Sequence, residues 1–161
     1  MMNSFKKSTY HFREGFSALE LLAVIAILGI IVTLTYTSFA SLRRGKNLDT
    51  ETLSVLSLLE KARADTLGAK GASQYGVHFE TTKAVFFSGG TYVSGNASNI
   101  TMILNPLIQI SSINLTGGGA EVIFDRLSGK TEEAGTLTLS LVSASSSKTI
   151  AIGATGLPEI Q

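Results

Sequence analysis

The sequence predicts an α+β fold. A long N-terminal helix, apolar on all sides in its first half and one-sided in its second, packs on a small antiparallel β-sheet domain. Three observations carry this. No formal charge occurs from Leu21 to Leu42. Beyond Leu48 the apolar residues fall on a single stripe at helical spacing. After Gly71 the apolar period drops to two, and short runs alternate with glycine turns.

The uncharged run is 22 residues long, about 33 Å as a helix at about 1.5 Å per residue. A hydrocarbon core of about 30 Å is crossed by such a length. Glu20 stands at the mouth of this run, where an unpaired charge is expensive and marks function. Leu21 to Val32 is almost purely aliphatic, whereas Thr33, Thr35, Tyr36, Thr37 and Ser38 bring hydroxyls into the second half. Hydroxyls that bond to carbonyls one turn back are tolerated in lipid but weaken the anchorage. The run contains no proline, so any kink falls to Gly29 or Gly45.

From Leu48 the helix turns amphipathic and ends at about Gly68. Leu48, Val55, Leu56, Leu59, Ala62 and Thr66 share one stripe, while Asp49, Ser57, Glu60, Lys61 and Asp65 lie elsewhere. Core packing explains that stripe better than a cofactor or lipid does. Then Tyr75, Val77 and Phe79 alternate with Gly76, His78 and Glu80, and Ala84 to Phe87 forms a second run closed by Gly89-Gly90. Ile100 to Leu104 and Ile108 to Leu115 follow, separated at Pro106. Glu121 to Phe124, Thr136 to Val142 and Thr149 to Ile152 complete six or seven short strands. Gly95 to Asn99 reads as a loop.

Gly15, Phe16, Ser17, Ala18, Leu19, Glu20 and the apolar run through Ile30, preceded by basic residues, resemble the type IV prepilin signal. In that family a membrane-embedded aspartyl peptidase cuts after the glycine and methylates the new amine, here that of Phe16. The subunits then assemble through their apolar helices. The resemblance implies a leader of residues 1–15, a membrane and filament-core helix of 16–42, an amphipathic continuation of 43–69 and a pilin-like head of 70–161. It implies a minor pilin or pseudopilin, of a type IV pilus or of type II secretion. Its place is the cytoplasmic membrane, single-pass with the head outside, and then an extracytoplasmic filament. The partners are prepilin peptidase, other pilin subunits and, before assembly, the membrane. Glu20 serves assembly: its carboxylate needs a cation among packed apolar helices, and the nearest is the amine freed at Phe16. Val122 to Asp125, the turn ending in Gly129, Leu137 to Leu141 and Thr149 to Gly156 are similar to the C-terminal part of the H-type pseudopilins (GspH/FimT-like). Some members of that family bind DNA through arginines in the terminal tail; no arginine lies beyond Arg126 here, and nucleic acid is not expected as a partner.

Two other readings compete for the apolar run. A secretory signal peptide with a cut at Ser38-Phe39-Ala40 has an apolar region of only about 7–15 residues. A plain single-span anchor explains the length but not Gly15-Phe16 with Glu20. The corresponding alternatives are a secreted enzyme released after Ala40, a membrane-anchored binding domain that stays monomeric, and a DNA-uptake minor pilin. Charge assigns no orientation, because Lys6, Lys7 and Arg13 before the run balance Arg43, Arg44 and Lys46 after it.

Composition narrows the chemistry. Loss of Lys6, Lys7 and Arg13 against Glu14 takes 13 basic and 12 acidic residues to 10 and 11, a balance with no general attraction for nucleic acid or anionic lipid. Cysteine is absent, so thiol chemistry and disulfides are too. Gly129-Lys130-Thr131 imitates the end of a phosphate-binding loop, but Phe124 stands where its first glycine belongs, which leaves a hairpin turn. His78 alternates outward and reads as a surface histidine without a second histidine or cysteine to build a zinc site beyond the cut. Glu132 and Glu133, being adjacent, face opposite sides of a strand. Asn96, Asn99 and Asn114 open glycosylation-type triplets that arise easily in a Ser/Thr-rich chain. No catalytic, cofactor or metal residue is named, and the chain is expected not to be an enzyme.

Overall fold

Helix α1, Ala18–Leu67, opens the computed structural model, which describes residues 15–161 apart from the side chains of residues 37, 38 and 40. The leader through Glu14, with Lys6, Lys7 and Arg13, lies outside the described residues, as do two side chains of the Ser38-Phe39-Ala40 sequence. The helix continues through both Gly29 and Gly45. The chain divides into two compact units, one ending at Ala40 and one spanning Ser41–Gln161.

In the first unit the described apolar side chains of α1 are exposed on every side, from Leu19 and Leu21 to Phe39. Thr33 Oγ1 donates to the Ile30 carbonyl and Thr35 Oγ1 to that of Ile31, each at 2.8 Å. Those hydroxyls are thus satisfied within the helix, as a lipid-facing segment requires. By length and composition this part of α1 is able to cross a membrane.

The second unit buries one stripe of the same helix. Leu48, Thr52, Val55, Leu59, Ala62 and Thr66 are all inaccessible, spaced by alternating fours and threes, so they stay on one face. Thr52 replaces Leu56 in the expected stripe: it is 1% exposed, and its hydroxyl donates back to the Leu48 carbonyl at 2.7 Å. Leu56 sits at the margin, partly buried against the same cluster. The helix ends where Gly68 N–H bonds the Ala64 carbonyl and Ala69 turns left-handed, at φ 48°. Thr66 then joins helix to sheet: Oγ1 donates to the Ala62 carbonyl and accepts the Tyr75 N–H at 3.0 Å.

Eight strands follow: β1 Tyr75–Glu80, β2 Lys83–Ser88, β3 Ile100–Ile103, β4 Ile108–Leu115, β5 Glu121–Phe124, β6 Gly135–Leu141, β7 Ser147–Ile152 and β8 Pro158–Ile160. They form two antiparallel sheets of four, ordered β3-β2-β1-β5 and β4-β6-β7-β8. The expected α+β class with a long helix on antiparallel strands therefore holds, with one strand more than the six or seven expected. The extra one is β8, in the tail, where Pro158 tolerates only an edge or a strand start and takes both. One core joins the helix stripe to Val77, Phe79, Phe86, Val122 and Phe124 of the first sheet. Ile108, Leu137, Leu139 and Ile150 join it from the second.

The first sheet also buries part of its other face. Val85 and Phe87 are inaccessible, and the Phe87 ring lies over Gly76, where a Cβ would stand 2.7 Å from it. His78 corrects the expectation of a surface histidine. It does point away from the helix, but Tyr92 of the β2–β3 loop stacks on it at 4.0 Å and 8°. Only 21% of its side chain is exposed; Nδ1 has no hydrogen-bond partner and lies 3.7 Å from Glu121 Oε2.

Candidate functional site

Gly15, Phe16 and Ser17 precede the first helical residue, Ala18. Ser17 is the N-cap: its Oγ accepts the Glu20 N–H at 3.2 Å and its carbonyl accepts the Leu21 N–H at 3.1 Å. A serine three residues before a glutamate, ahead of an apolar run, is the pattern that starts a helix at that serine. The Gly15–Phe16 peptide bond therefore sits in non-helical chain one residue ahead of the cap.

Nothing in the fold asks for glycine at position 15. A Cβ built there meets no atom of the described residues within 4 Å. The same holds at Gly29 and Gly45, although glycine costs about 1 kcal/mol against alanine inside a helix. Phe16 is 77% exposed. Glu20 is exposed on the first turn, where the helix dipole favours a carboxylate, and no cation pairs with it among the described residues. The site predicted from sequence, Gly15, Phe16 and Glu20, thus lies in six consecutive residues at the start of α1. Ser17 was missed, although Ser17-x-x-Glu20 was visible as a capping signal.

Elsewhere the polar groups are occupied by the fold. Gly129-Lys130-Thr131 belongs to a turn in which Gly129 N–H bonds the Asp125 carbonyl at 2.9 Å and Asp125 N–H that of Lys130 at 2.8 Å. Glu132 and Glu133 lie outside the strands: Glu132 is exposed, and Glu133 Oε2 accepts the Thr131 hydroxyl at 2.8 Å and the Ile123 N–H at 3.2 Å. A groove of about 320 Å³ is lined by Asp49, Thr52, Leu53, Lys148 and Ile160. Lys148 Nζ and Asp49 Oδ1 pair across it at 3.0 Å. Among the described residues no three His, Asp or Glu side chains gather to hold a metal. Asn96 Oδ1 accepts both the N–H and the hydroxyl of Ser98, Asn99 Nδ2 donates to the Val93 carbonyl, and Asn114 lies in β4. No protein-family model, no curated protein and no solved structure matches the chain.

Proposed function

We propose that this chain is a pilin-like subunit of a type IV filament machine, a minor pilin or a pseudopilin of type II secretion. In this proposal it waits in the cytoplasmic membrane as a single-span precursor with its β-rich head outside. Prepilin peptidase cuts it after Gly15 and methylates Phe16, and α1 then packs with other subunits. The observation that carries the proposal is the pairing of two features. The described apolar side chains of α1 are exposed all round through Phe39, and the helix carrying them begins at Ala18, two residues after Phe16, so that the Gly15-Phe16 bond lies in non-helical chain.

Cleavage has a second consequence. It frees an amine at Phe16, four residues from Glu20. At about 4 Å and an effective dielectric of about 20, opposite charges attract by roughly 4 kcal/mol. Among packed apolar helices an unpaired carboxylate is costly, so the register that brings Glu20 to an amine, its own or a neighbour's, is favoured over slipped ones. Glu20→Ala is tested by shearing filaments from cells and measuring subunit incorporation. The expected result is a variant that inserts and is cut normally but is depleted from filaments. Incorporation at the wild-type level overturns the assembly role.

A further inference from the structure

Two four-stranded sheets have four edges, and three of them are guarded. On β5 the outward N–H of Ile123 is taken by Glu133 Oε2 at 3.2 Å, and Glu121 adds a charge. On β4 the register shifts between Ile110 and Ser112, a bulge of the kind that stops further pairing. Strand β8 is three residues long, begins with Pro158 and carries Glu159. Charge, proline, bulge and shortness are the devices by which proteins protect sheet edges.

Strand β3, Ile-Thr-Met-Ile, has no charge, proline or bulge. Ile100 is half-exposed and Ile103 is 77% exposed. Its hydrogen bonding follows from the register. Leu104 N–H bonds the Thr82 carbonyl at 2.9 Å, so by antiparallel alternation Met102 and Ile100 bond to β2. The N–H and C=O groups of Thr101 and Ile103 therefore point out from the edge.

The geometry points to this edge as the pairing surface for a second copy of this chain, β3 against β3. Charge permits that occupant, and the self-complementary register fits it. From Ala84 to Ala120 the sequence holds no Asp, Glu, Lys, Arg or His, so the strand and its flanks meet an identical surface without like-charge repulsion. The register is determined as well. With Met102 opposite the partner's Met102, Thr101 bonds Ile103 of the partner subunit through both backbone groups, and Ile103 bonds the partner's Thr101. Every outward group of both strands is then satisfied. Such a two-fold contact is closed and stops at two copies.

The absence of native cysteine makes the test direct. Met102→Cys in the full-length chain, in membranes and on a Gly15→Val background that withholds it from filaments, forms a disulfide-linked dimer on mild oxidation. Co-expressed Thr101→Cys and Ile103→Cys chains form a dimer only in the mixture, which covers any loss of packing at Met102. Ile103→Lys, at an exposed position, reduces the Met102→Cys dimer at least tenfold, and Glu159→Cys on the guarded β8 edge stays monomeric. Monomer from both the Met102→Cys chain and the mixture overturns the proposal, and so does a dimer from Glu159→Cys of equal strength. Neither result bears on processing at Gly15.

Discussion

The two halves of α1 are built from the same residue types and end in opposite states. Leu28 and Ile31 in the first half are more than half exposed, whereas Val55 and Leu59 in the second are wholly buried. The difference lies in patterning. The second half gathers its buried residues on one stripe, which the sheets of the same chain cover, and leaves Leu53 exposed away from it. The first half spreads them round the helix, and a helix apolar all round is satisfied only by lipid or by other helices. Half of this helix is thus covered by its own chain, while the described side chains of the other half are exposed.

The largest expected effect falls on the covered half. Leu59→Asp buries an unpaired carboxylate at a cost of several kcal/mol, against a domain stability of about 5–15 kcal/mol. The head loses its cooperative thermal transition. Leu59→Ala leaves it folded but about 2–5 kcal/mol less stable. Leu28→Ala in the uncovered half leaves the same transition unchanged, and an equal loss in both would erase the contrast between the halves.

Next comes the joint between helix and sheet. Thr66→Val keeps shape but leaves the Tyr75 N–H without its acceptor, for a loss of about 1–3 kcal/mol in chemical denaturation. An unchanged midpoint would mean that the 3.0 Å bond contributes nothing. Ser17→Ala removes the cap of the uncovered half and costs that helix about 1 kcal/mol. It is read as faster amide exchange in the first turn, with the head's exchange unaltered.

The smallest effect is electrostatic. Asp65 accepts from Lys61 at 2.7 Å and lies 3.5 Å from Lys70. The hydrogen bond from Lys61, helped by both lysine charges, holds its carboxyl below the usual 3.8. A lowered pKa contributes stability above the ordinary value, and that contribution is lost as pH falls below it. Asp65→Asn should therefore cost under about 1 kcal/mol at neutral pH, and the difference from wild type should begin to shrink near pH 3.8 and disappear as the pH falls through the lowered folded value.

Much of this contrast was legible in the sequence because helical period reports directly on which faces are covered. Leu48, Val55, Leu59, Ala62 and Thr66 were readable as a stripe; Thr52 was not, because its satisfied hydroxyl leaves only a methyl to mark it as core. Period two located most strands but carries no information on pairing, so the division into two sheets was hidden. Pro158 concealed β8 by removing a donor that an edge strand does not need. His78 was misjudged because alternation names a face, while its cover, Tyr92, arrives from a loop with no period at all. At the N-terminus Gly15, Phe16 and Glu20 were singled out by their resemblance to a prepilin signal. What that resemblance did not show is that the helix begins at Ala18, capped by Ser17, leaving the bond before Phe16 outside it.

We propose that the uncovered half of α1 is completed by other subunits after cleavage between Gly15 and Phe16. The mass of the N-terminal peptide tests it most directly, measured on protein from the membranes of cells that contain prepilin peptidase. The expected species begins at Phe16 and carries one methyl group on its amine. Gly15→Val should abolish that species; a Cβ at position 15 meets no atom of the described residues within 4 Å, so the fold of the head should be undisturbed. A wild-type chain that still begins at Met1 or Met2 in such cells would contradict the account.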